Sequence, residues 1–274
     1  MRKLPVALQM YTVRDFAEKD FEGTLAAVSE QGYDGIELAG TYGLGFEEIK
    51  KAADKHGLPI ISAHVPLPEL EANAEATVKN YISLGCGYVA IPWVTAGYFG
   101  DAGALANTVG VFTKIGETCN ANGAVLLYHN HDFEFVTLQD GSFGLDYLYA
   151  SIPANILQTQ LDTCWIRVAG QDPVEYVKKY AGRCPIVHLK DFYREGETAG
   201  KFILAEHEKK AGEAACRAFE FRPVGHGVQD FPSILAASVE SGAKWVVVEQ
   251  DTAVGMTSLE AAKESREYLR GIGW

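Results

Sequence analysis

Short hydrophobic runs recur along the chain, and nearly every one ends in a polar side chain. The eight runs read VALQM, GIEL, PIISAH, YVAIPW, AVLLYH, LQTQLD, PIVHLK and WVVVEQ. They are rich in β-branched and aromatic residues and are separated by enough chain for one helix each, which is typical of buried parallel strands. The polar residues at their carboxyl ends are Gln9, Glu37, His64, His129 with His131, Asp162, His188 and Glu249.

Amphipathic stretches lie between the runs and predict one helix after each strand. They lie near residues 20–31, 46–56, 69–84, 102–121, 144–151, 172–181, 231–241 and 257–271. Strict strand and helix alternation predicts a parallel sheet with right-handed crossovers, and eight units favour a closed barrel over an open sheet. We therefore predict an α/β fold in which residues 1–274 form a single (β/α)8 TIM barrel domain.

The one irregular stretch follows the seventh predicted strand. Residues 191–229 make a connection about twice as long as a usual strand-to-helix link. A short charged helix is predicted near residues 204–219. In a barrel this extended loop overhangs the rim that carries the active site, so we expect a lid or a subunit contact, and hence a possible homo-oligomer. A solvated insertion without a role in chemistry is the alternative.

Charge and local motifs exclude several classes of partner. The formal net charge is -12 and no Lys/Arg block interrupts it, so nucleic acid is not an expected partner. No apolar run reaches the roughly 18–20 residues of a membrane span, and the apolar stretch at the start of the chain is too brief for an export signal. YTVRDF follows the first strand where a dinucleotide fold carries a glycine-rich turn, so no nicotinamide cofactor is expected.

The cysteines indicate the compartment. There are five, an odd number, and none is in a CxxC pair. This usage does not suit a disulfide framework and predicts reduced thiols in a cytoplasmic protein.

Candidate chemistry concentrates on the last three predicted barrel strands. Asp162, His188 and Glu249 end strands six, seven and eight, which are neighbours at the rim. Carboxylates brought close together repel one another, and a raised pKa or a bound cation relieves the repulsion. One imidazole among carboxylates suits a divalent ion such as Mn, Zn, Co or Mg. Taken singly, each residue also has a structural alternative, such as a helix N-cap or a core histidine.

The fourth ligand is expected from the segment YHNHDFEF at strand five. We predict Glu134, because a second carboxylate opposite Glu249 gives an acid/base pair on two faces of a bound substrate. Glu134 and Glu249 are therefore the predicted catalytic residues. His129 or His131 as the ligand is the alternative, and a merely structural polar cluster is another.

Six motifs together resemble one enzyme family over nearly the whole chain. LQMYTVRD, GYDGIEL, YHNHDFEF, LDTCW, HLKD and PVGHGVQDF resemble the sugar phosphate isomerase/epimerase group of the xylose-isomerase-like TIM barrels. The resemblance implies one divalent metal ion held by Glu, Asp, His and Glu from strands five to eight. The last three fall on Asp162, His188 and Glu249. At strand five this chain departs from the pattern, with Tyr128 and His129 where many members have glutamate.

These observations and the resemblance together imply a metal-dependent isomerase or epimerase. It would act on a sugar or keto-polyol through proton abstraction and a metal-stabilised enediolate. A dehydratase on a keto-inositol or keto-sugar, a metal-dependent endonuclease and a non-catalytic sugar-binding barrel are the alternatives. No phosphate cradle is evident, so a non-phosphorylated substrate is expected. The candidate substrate-binding residues are Glu37, His64, Trp93, His129, His131, Lys190, Arg222 and His226.

Overall fold

Eight parallel strands close into a barrel, as the sequence predicts, and two further strands form a hairpin beside it. The computed structural model describes residues 3–194 and 219–274. Each barrel strand coincides with one of the predicted hydrophobic runs. In chain order the strands are β1 Val6–Gln9, β2 Gly35–Ala39, β3 Ile60–His64, β4 Tyr88–Ile91, β5 Val125–His129, β6 Leu157–Asp162, β7 Ile186–Leu189, β8 Asp191–Arg194, β9 Phe219–Arg222 and β10 Trp245–Val248. The barrel order is β1-β10-β7-β6-β5-β4-β3-β2.

Helices fill the connections between the barrel strands and cover the outside of the barrel. In the described residues they are α1 Arg14–Ala17, α2 Phe21–Glu30, α3 Phe46–Lys55, α4 Leu67–Ser83, α5 Ala102–Ala121, α6 Gly144–Ser151, α7 Thr163–Val168, α8 Pro173–Lys179, α9 Phe231–Glu240 and α10 Ser258–Gly271. The eight predicted helices are present within a few residues of their expected ends. The short helices α1 and α7 were not expected, and α4 contains a kink at Asn73.

The inward face of the barrel changes from apolar to polar along the strands. Side chains alternate between the two faces of a strand, so every second residue points into the barrel. An apolar layer crosses the interior and consists of Ala7, Ile61, Ala90, Leu127, Ile186 and Val247. Two residues further along four of those strands stand Gln9, His129, His188 and Glu249, all buried. The apolar layer therefore forms a floor beneath a polar chamber.

Two strands within the extended segment after β7, namely β8 and β9, pair as an antiparallel hairpin. Asp191 pairs with Arg222, and Arg194 pairs with Phe219. The hairpin packs on α7, where Trp165 stacks on Phe219 with ring centroids 6.0 Å apart. Apart from Phe219, the charged helix predicted near residues 204–219 lies outside the described residues.

A buried carboxylate organises the turn that follows the hairpin. Asp191 accepts hydrogen bonds from the backbone N–H groups of Phe192, Gly225, Gly227, Val228 and Gln229. The backbone of Gly227 approaches so closely that a Cβ there would lie 2.3 Å from the Asp191 carboxylate and from the Phe192 carbonyl oxygen. Only glycine fits this approach.

Two further predictions concern thiols and membranes. Cys86, Cys119, Cys164 and Cys184 are free and buried. None of the helices described for this chain combines the length and the apolar character needed to cross a bilayer.

Candidate active site

Four side chains converge above the apolar floor, at the carboxyl ends of β5, β6, β7 and β10. His129, Asp162, His188 and Glu249 each offer one ligand atom, and these atoms all lie within 4.8 Å of one another. His129 Nε2 lies 3.6 Å from Asp162 Oδ2 and 3.9 Å from Glu249 Oε2. His188 Nδ1 lies 2.8 Å from Glu249 Oε2. We call these four residues the metal-competent cluster.

Asp162 is held in the cluster by the start of the next helix. Its Oδ1 accepts the backbone N–H groups of Cys164 at 2.8 Å and Trp165 at 3.3 Å, so Asp162 is the N-cap of α7. The other oxygen, Oδ2, faces the cluster, where it lies 3.6 Å from His129 Nε2. Capping and ligation thus use different oxygens of one carboxylate, and the two roles considered for this residue are compatible.

Glu37 holds His188 from beneath the cluster. The Glu37 carboxylate is fully buried, and its Oε2 lies 2.8 Å from His188 Nε2. Gln9 Nε2 donates to the same oxygen at 2.8 Å, and Gln160 Nε2 donates to Oε1 at 2.6 Å. Because Nε2 of His188 faces Glu37, Nδ1 is the nitrogen that faces Glu249 and the cluster.

Lys190 brings a positive charge to the two carboxylates of the cluster. Its Nζ lies 3.1 Å from Asp162 Oδ2 and 3.2 Å from Glu249 Oε2. Asp251, two residues beyond Glu249, is the third carboxylate neighbour, at 3.0 Å. The Lys190 side chain is 1% exposed, so these ion pairs operate with little screening by water.

The charges in the cluster shift its pKa values in opposite directions. Burial raises the pKa of Asp162 to about 6, against the opposing effect of Lys190. Burial also acts to raise the pKa of Glu249, but Lys190 and His188 bring it well below its usual range. Burial acts to lower the pKa of His188, whereas Glu37 and Glu249 raise it to about 10. Glu249 is therefore ionised at neutral pH.

A cavity of about 600 Å³ opens onto the cluster from the rim. Its inner wall includes His129, His131, Lys190, Glu249 and Asp251. Its outer wall is formed mainly by the connections after β1 to β4, which contribute Tyr11, Ala39, Gly40, Thr41, Pro66, Glu69, Pro92 and Trp93. Tyr11 is 41% exposed and Trp93 is 37% exposed, which leaves aromatic surface at the rim.

The donor set fits a divalent metal ion. Two imidazoles and two carboxylates converge from four strands, a combination suited to ions of intermediate softness. His129 Nε2 faces Asp162 Oδ2 at 3.6 Å and Glu249 Oε2 at 3.9 Å, both longer than a hydrogen bond.

Comparison with known proteins agrees with this architecture. The sequence model of the xylose isomerase-like TIM barrel family matches residues 25–272. The chain belongs to this family. An inosose dehydratase of Clostridium botulinum, also similar to this chain, is 25% identical over 276 residues, which span 92% of this chain and 90% of the relative.

Solved structures share the xylose isomerase-like barrel. A sugar phosphate isomerase/epimerase from Parabacteroides distasonis superposes with a TM-score of 0.78 at 22% identity, covering 97% of this chain and 98% of that one. A probable 3-DHS dehydratase from Bacillus anthracis superposes with a TM-score of 0.77 at 15% identity, covering 97% and 99%. At these identities the likeness shows the fold alone.

Within this family barrel, Glu134 is placed outside the metal-competent cluster. Its Oε1 accepts the Tyr128 hydroxyl at 2.6 Å and its Oε2 accepts the His131 backbone N–H at 2.9 Å. Glu134 is fully buried and is not part of the cavity lining. Strand five instead contributes His129 to the cluster, because His129 is the inward residue at the end of β5.

The predicted substrate-binding residues divide into two groups. His64, Trp93, His129, His131 and Lys190 line the cavity. Glu37 lies below it, fully buried among the residues that hold it. Arg222 is paired with Glu220 on the hairpin, and His226 is half exposed 3.9 Å from Glu264, both outside the lining. The spacing of residues in the sequence does not show whether a side chain lies at the rim, just below it or beside it.

Two polar residues next to the cluster, Gln160 and Asp251, were not predicted from the sequence. Gln160 precedes Asp162 by two residues on β6 and shares its inward face, and Asp251 follows Glu249 by two residues beyond the end of β10. The period of two was the signal that would have found them. The sequence prediction assigned one polar residue each to the ends of β6 and β10, whereas each of these strand ends brings two to the site.

Proposed function

We propose that this chain is a divalent-metal-dependent enzyme that removes a proton from the carbon beside the carbonyl of a keto-inositol or keto-sugar. One observation carries the proposal: the ligand atoms of His129, Asp162, His188 and Glu249 lie within 4.8 Å of one another beside the rim cavity. Mn, Zn, Co and Mg are the candidate ions. This assignment replaces Glu134 by His129 as the ligand from strand five.

Each residue of the cluster has a role in the proposed chemistry. A divalent ion bound there would polarise the substrate carbonyl as a Lewis acid. Glu249 lines the cavity and is kept ionised by Lys190 and His188, so we assign it as the proton acceptor. Asp162 and His129 fix the opposite side of the cluster, and His188 is oriented by Glu37.

The fate of the carbanion decides the reaction. Expulsion of a β-hydroxyl group gives dehydration, whereas return of the proton gives isomerisation or epimerisation. We propose dehydration, because inosose dehydratases are similar to this chain over more than nine-tenths of its length. Isomerisation or epimerisation has weaker support, since a solved structure with that name, at 22% identity, shares only the fold.

An uncharged, non-phosphorylated substrate fits the cavity. Lys190 is the one lysine or arginine among the described lining residues, and three carboxylates already neutralise it. His64, His131 and Lys190 are placed to bind hydroxyl groups, and Trp93 and Tyr11 offer aromatic faces for the apolar side of a ring.

The test is hydrogen exchange combined with product analysis. The Mn²⁺-loaded protein is incubated in heavy water with a panel of keto-inositols, 3-keto-glycosides and ketoses. We expect at least one substrate to lose one water by mass spectrometry and its product to carry one solvent deuterium at the former β-carbon, which is protonated when the enol formed by elimination becomes a ketone. Label without loss of water would assign epimerisation or isomerisation instead.

Two variants sharpen the result. Glu249→Gln removes the proposed proton acceptor and is expected to lower the exchange rate by roughly 10²–10⁴-fold. Glu267→Gln, an exposed glutamate on α10, is the matched control and is expected to keep full activity. No labelled substrate across the panel, from protein that binds the ion, would refute the proposed chemistry.

Cytoplasmic location and a homo-oligomeric state belong to the proposal as well. The four free, buried cysteines support a reducing compartment. Sedimentation of the full chain tests the oligomeric state.

A further inference from the structure

Lys190 contacts the same carboxylate oxygens that a divalent ion would use. Its ammonium lies 3.1 Å from Asp162 Oδ2 and 3.2 Å from Glu249 Oε2, the oxygens that also approach His129. Lys190 follows His188 by two residues and therefore shares its inward direction. Lys190 and a divalent ion would thus bind the same pair of carboxylates.

Two cations so close together repel one another, and the repulsion is strong because the side chains involved are buried. Asp162 is fully buried, Glu249 is 5% exposed and Lys190 is 1% exposed, so water does little to screen the charges. Occupation of the cluster by a doubly charged ion therefore requires the ammonium to give up part of its contact with Asp162 and Glu249.

Asp251 offers the ammonium another partner. Its Oδ1 lies 3.0 Å from Lys190 Nζ, and Asp251 is not part of the metal-competent cluster. The rings of Trp165 and Phe221 lie 5.6 Å and 5.7 Å from the same Nζ and add a favourable aromatic environment on the side of α7 and the hairpin. The ammonium can therefore stay buried and paired while it releases the two cluster carboxylates.

We infer that Lys190 is a built-in counter-cation: it neutralises Asp162 and Glu249 itself, competes with the divalent ion for them, and retreats towards Asp251 when the ion binds. The inference rests on the proposed metal centre. The ion is then exchangeable, because Lys190 can neutralise these carboxylates when the ion leaves. The opposite role is a support that holds both carboxylates in place for the ion.

Replacement of Lys190 by methionine separates the two roles by the sign of the effect. If Lys190 competes with the ion, its removal lets the ion bind more tightly. If Lys190 instead holds the carboxylates in place, its removal makes the ion bind more weakly. For Lys190→Met we expect Mn²⁺ to bind at least about tenfold more tightly by titration calorimetry after chelator treatment. Unchanged or weaker binding would overturn the inference.

Thermal unfolding provides a second readout that does not depend on catalysis. Without added ion, Lys190→Met is expected to unfold at a lower temperature than the wild type, because two buried carboxylates and the partly buried Asp251 lose their cation. Saturating Mn²⁺ should raise its melting temperature by more than it raises that of the wild type. Lys179→Met, which removes a lysine ion-paired with Asp146 outside the barrel, is the matched control and should leave the Mn²⁺ affinity unchanged.

A folding defect in the variant also gives an answer. If Lys190→Met does not fold alone, refolding in Mn²⁺ should recover its native circular dichroism, and failure to recover it would overturn the inference. Lys190→Arg keeps the charge and should bind Mn²⁺ no more tightly than the wild type. Unchanged Mn²⁺ affinity in Lys190→Met, with hydrogen exchange observed in the wild type, overturns only this inference, whereas Mn²⁺ binding by the wild type without hydrogen exchange overturns only the proposed chemistry. Absence of Mn²⁺ binding in every variant overturns both.

Discussion

At the scale of single residues, Glu134 is a buried carboxylate whose two oxygens are both used by protein donors. Tyr128 and the backbone of His131 hold it in place. Burial raises its pKa to about 8, although the hydrogen bond from Tyr128 acts to lower it. The folded state therefore binds a proton more tightly at Glu134 than the unfolded state does, and the resulting stability is present below the unfolded pKa and is lost as the pH rises through about 8.

Glu134→Gln is expected to remove this pH dependence. The variant should be within about 1 kcal/mol of the wild type near pH 5 and should gain stability relative to it by a few kcal/mol towards about pH 9. Urea unfolding at the two pH values measures the difference, and the exposed change Glu117→Gln is the control. A constant difference between variant and wild type would show that Glu134 is ionised at both.

Glu37 acts on the metal-competent cluster without belonging to it. Because its carboxylate lies 2.8 Å from His188 Nε2, it fixes the ring so that Nδ1 faces Glu249. Glu37→Gln should weaken Mn²⁺ binding by roughly 10–100-fold, the usual effect of losing such a partner. Titration calorimetry measures it, with Glu69→Gln at the outer cavity wall as the control. Equal affinity in wild type and Glu37→Gln would place Glu37 in structural support only.

At the scale of elements, the hairpin β8–β9 is joined to α9 through one carboxylate. Asp191 accepts five backbone N–H groups, four of them from the turn before α9. Asp191→Ala leaves these donors buried without an acceptor, so we expect it to lower the free energy of unfolding by about 3 kcal/mol or more.

The neighbouring helix cap provides the comparison for Asp191. Asp230 caps α9 through Ser233, is exposed, and is expected to cost only about 1 kcal/mol as Asp230→Ala. Chemical denaturation of both variants measures the difference. Similar losses in the two would mean that the turn does not depend on Asp191.

At the scale of the whole molecule, the barrel was predictable because its strands and helices repeat. Eight apolar runs and eight amphipathic stretches leave few topologies, and the strand order follows from the parallel direction. The convergence of Asp162, His188 and Glu249 was predictable for the same reason, since neighbouring strands end at one rim.

The remaining features depend on local geometry that the hydrophobic periodicity of the sequence does not predict. The sequence alone favoured Glu134 over His129, because it does not show that β5 ends with His129 pointing inward and Glu134 engaged by Tyr128. The hairpin was expected only as a loop, since DFYR and FEFR are separated by more than twenty residues. The contact of Lys190 with Asp162 and Glu249 could not be predicted, because it depends on the relative positions of three strand ends, those of β6, β7 and β10.

The apolar floor of the barrel has a consequence for the order of events during turnover. In the part of the chain that the structure describes, an apolar layer closes the far end of the chamber, and the cavity opens at the rim; the layer consists of Ala7, Ile61, Ala90, Leu127, Ile186 and Val247. Anything seated at the bottom must enter before, and leave after, whatever fills the space above it. A bound carbohydrate should therefore trap the ion, and chelators should strip the resting enzyme much faster than the enzyme working at saturation.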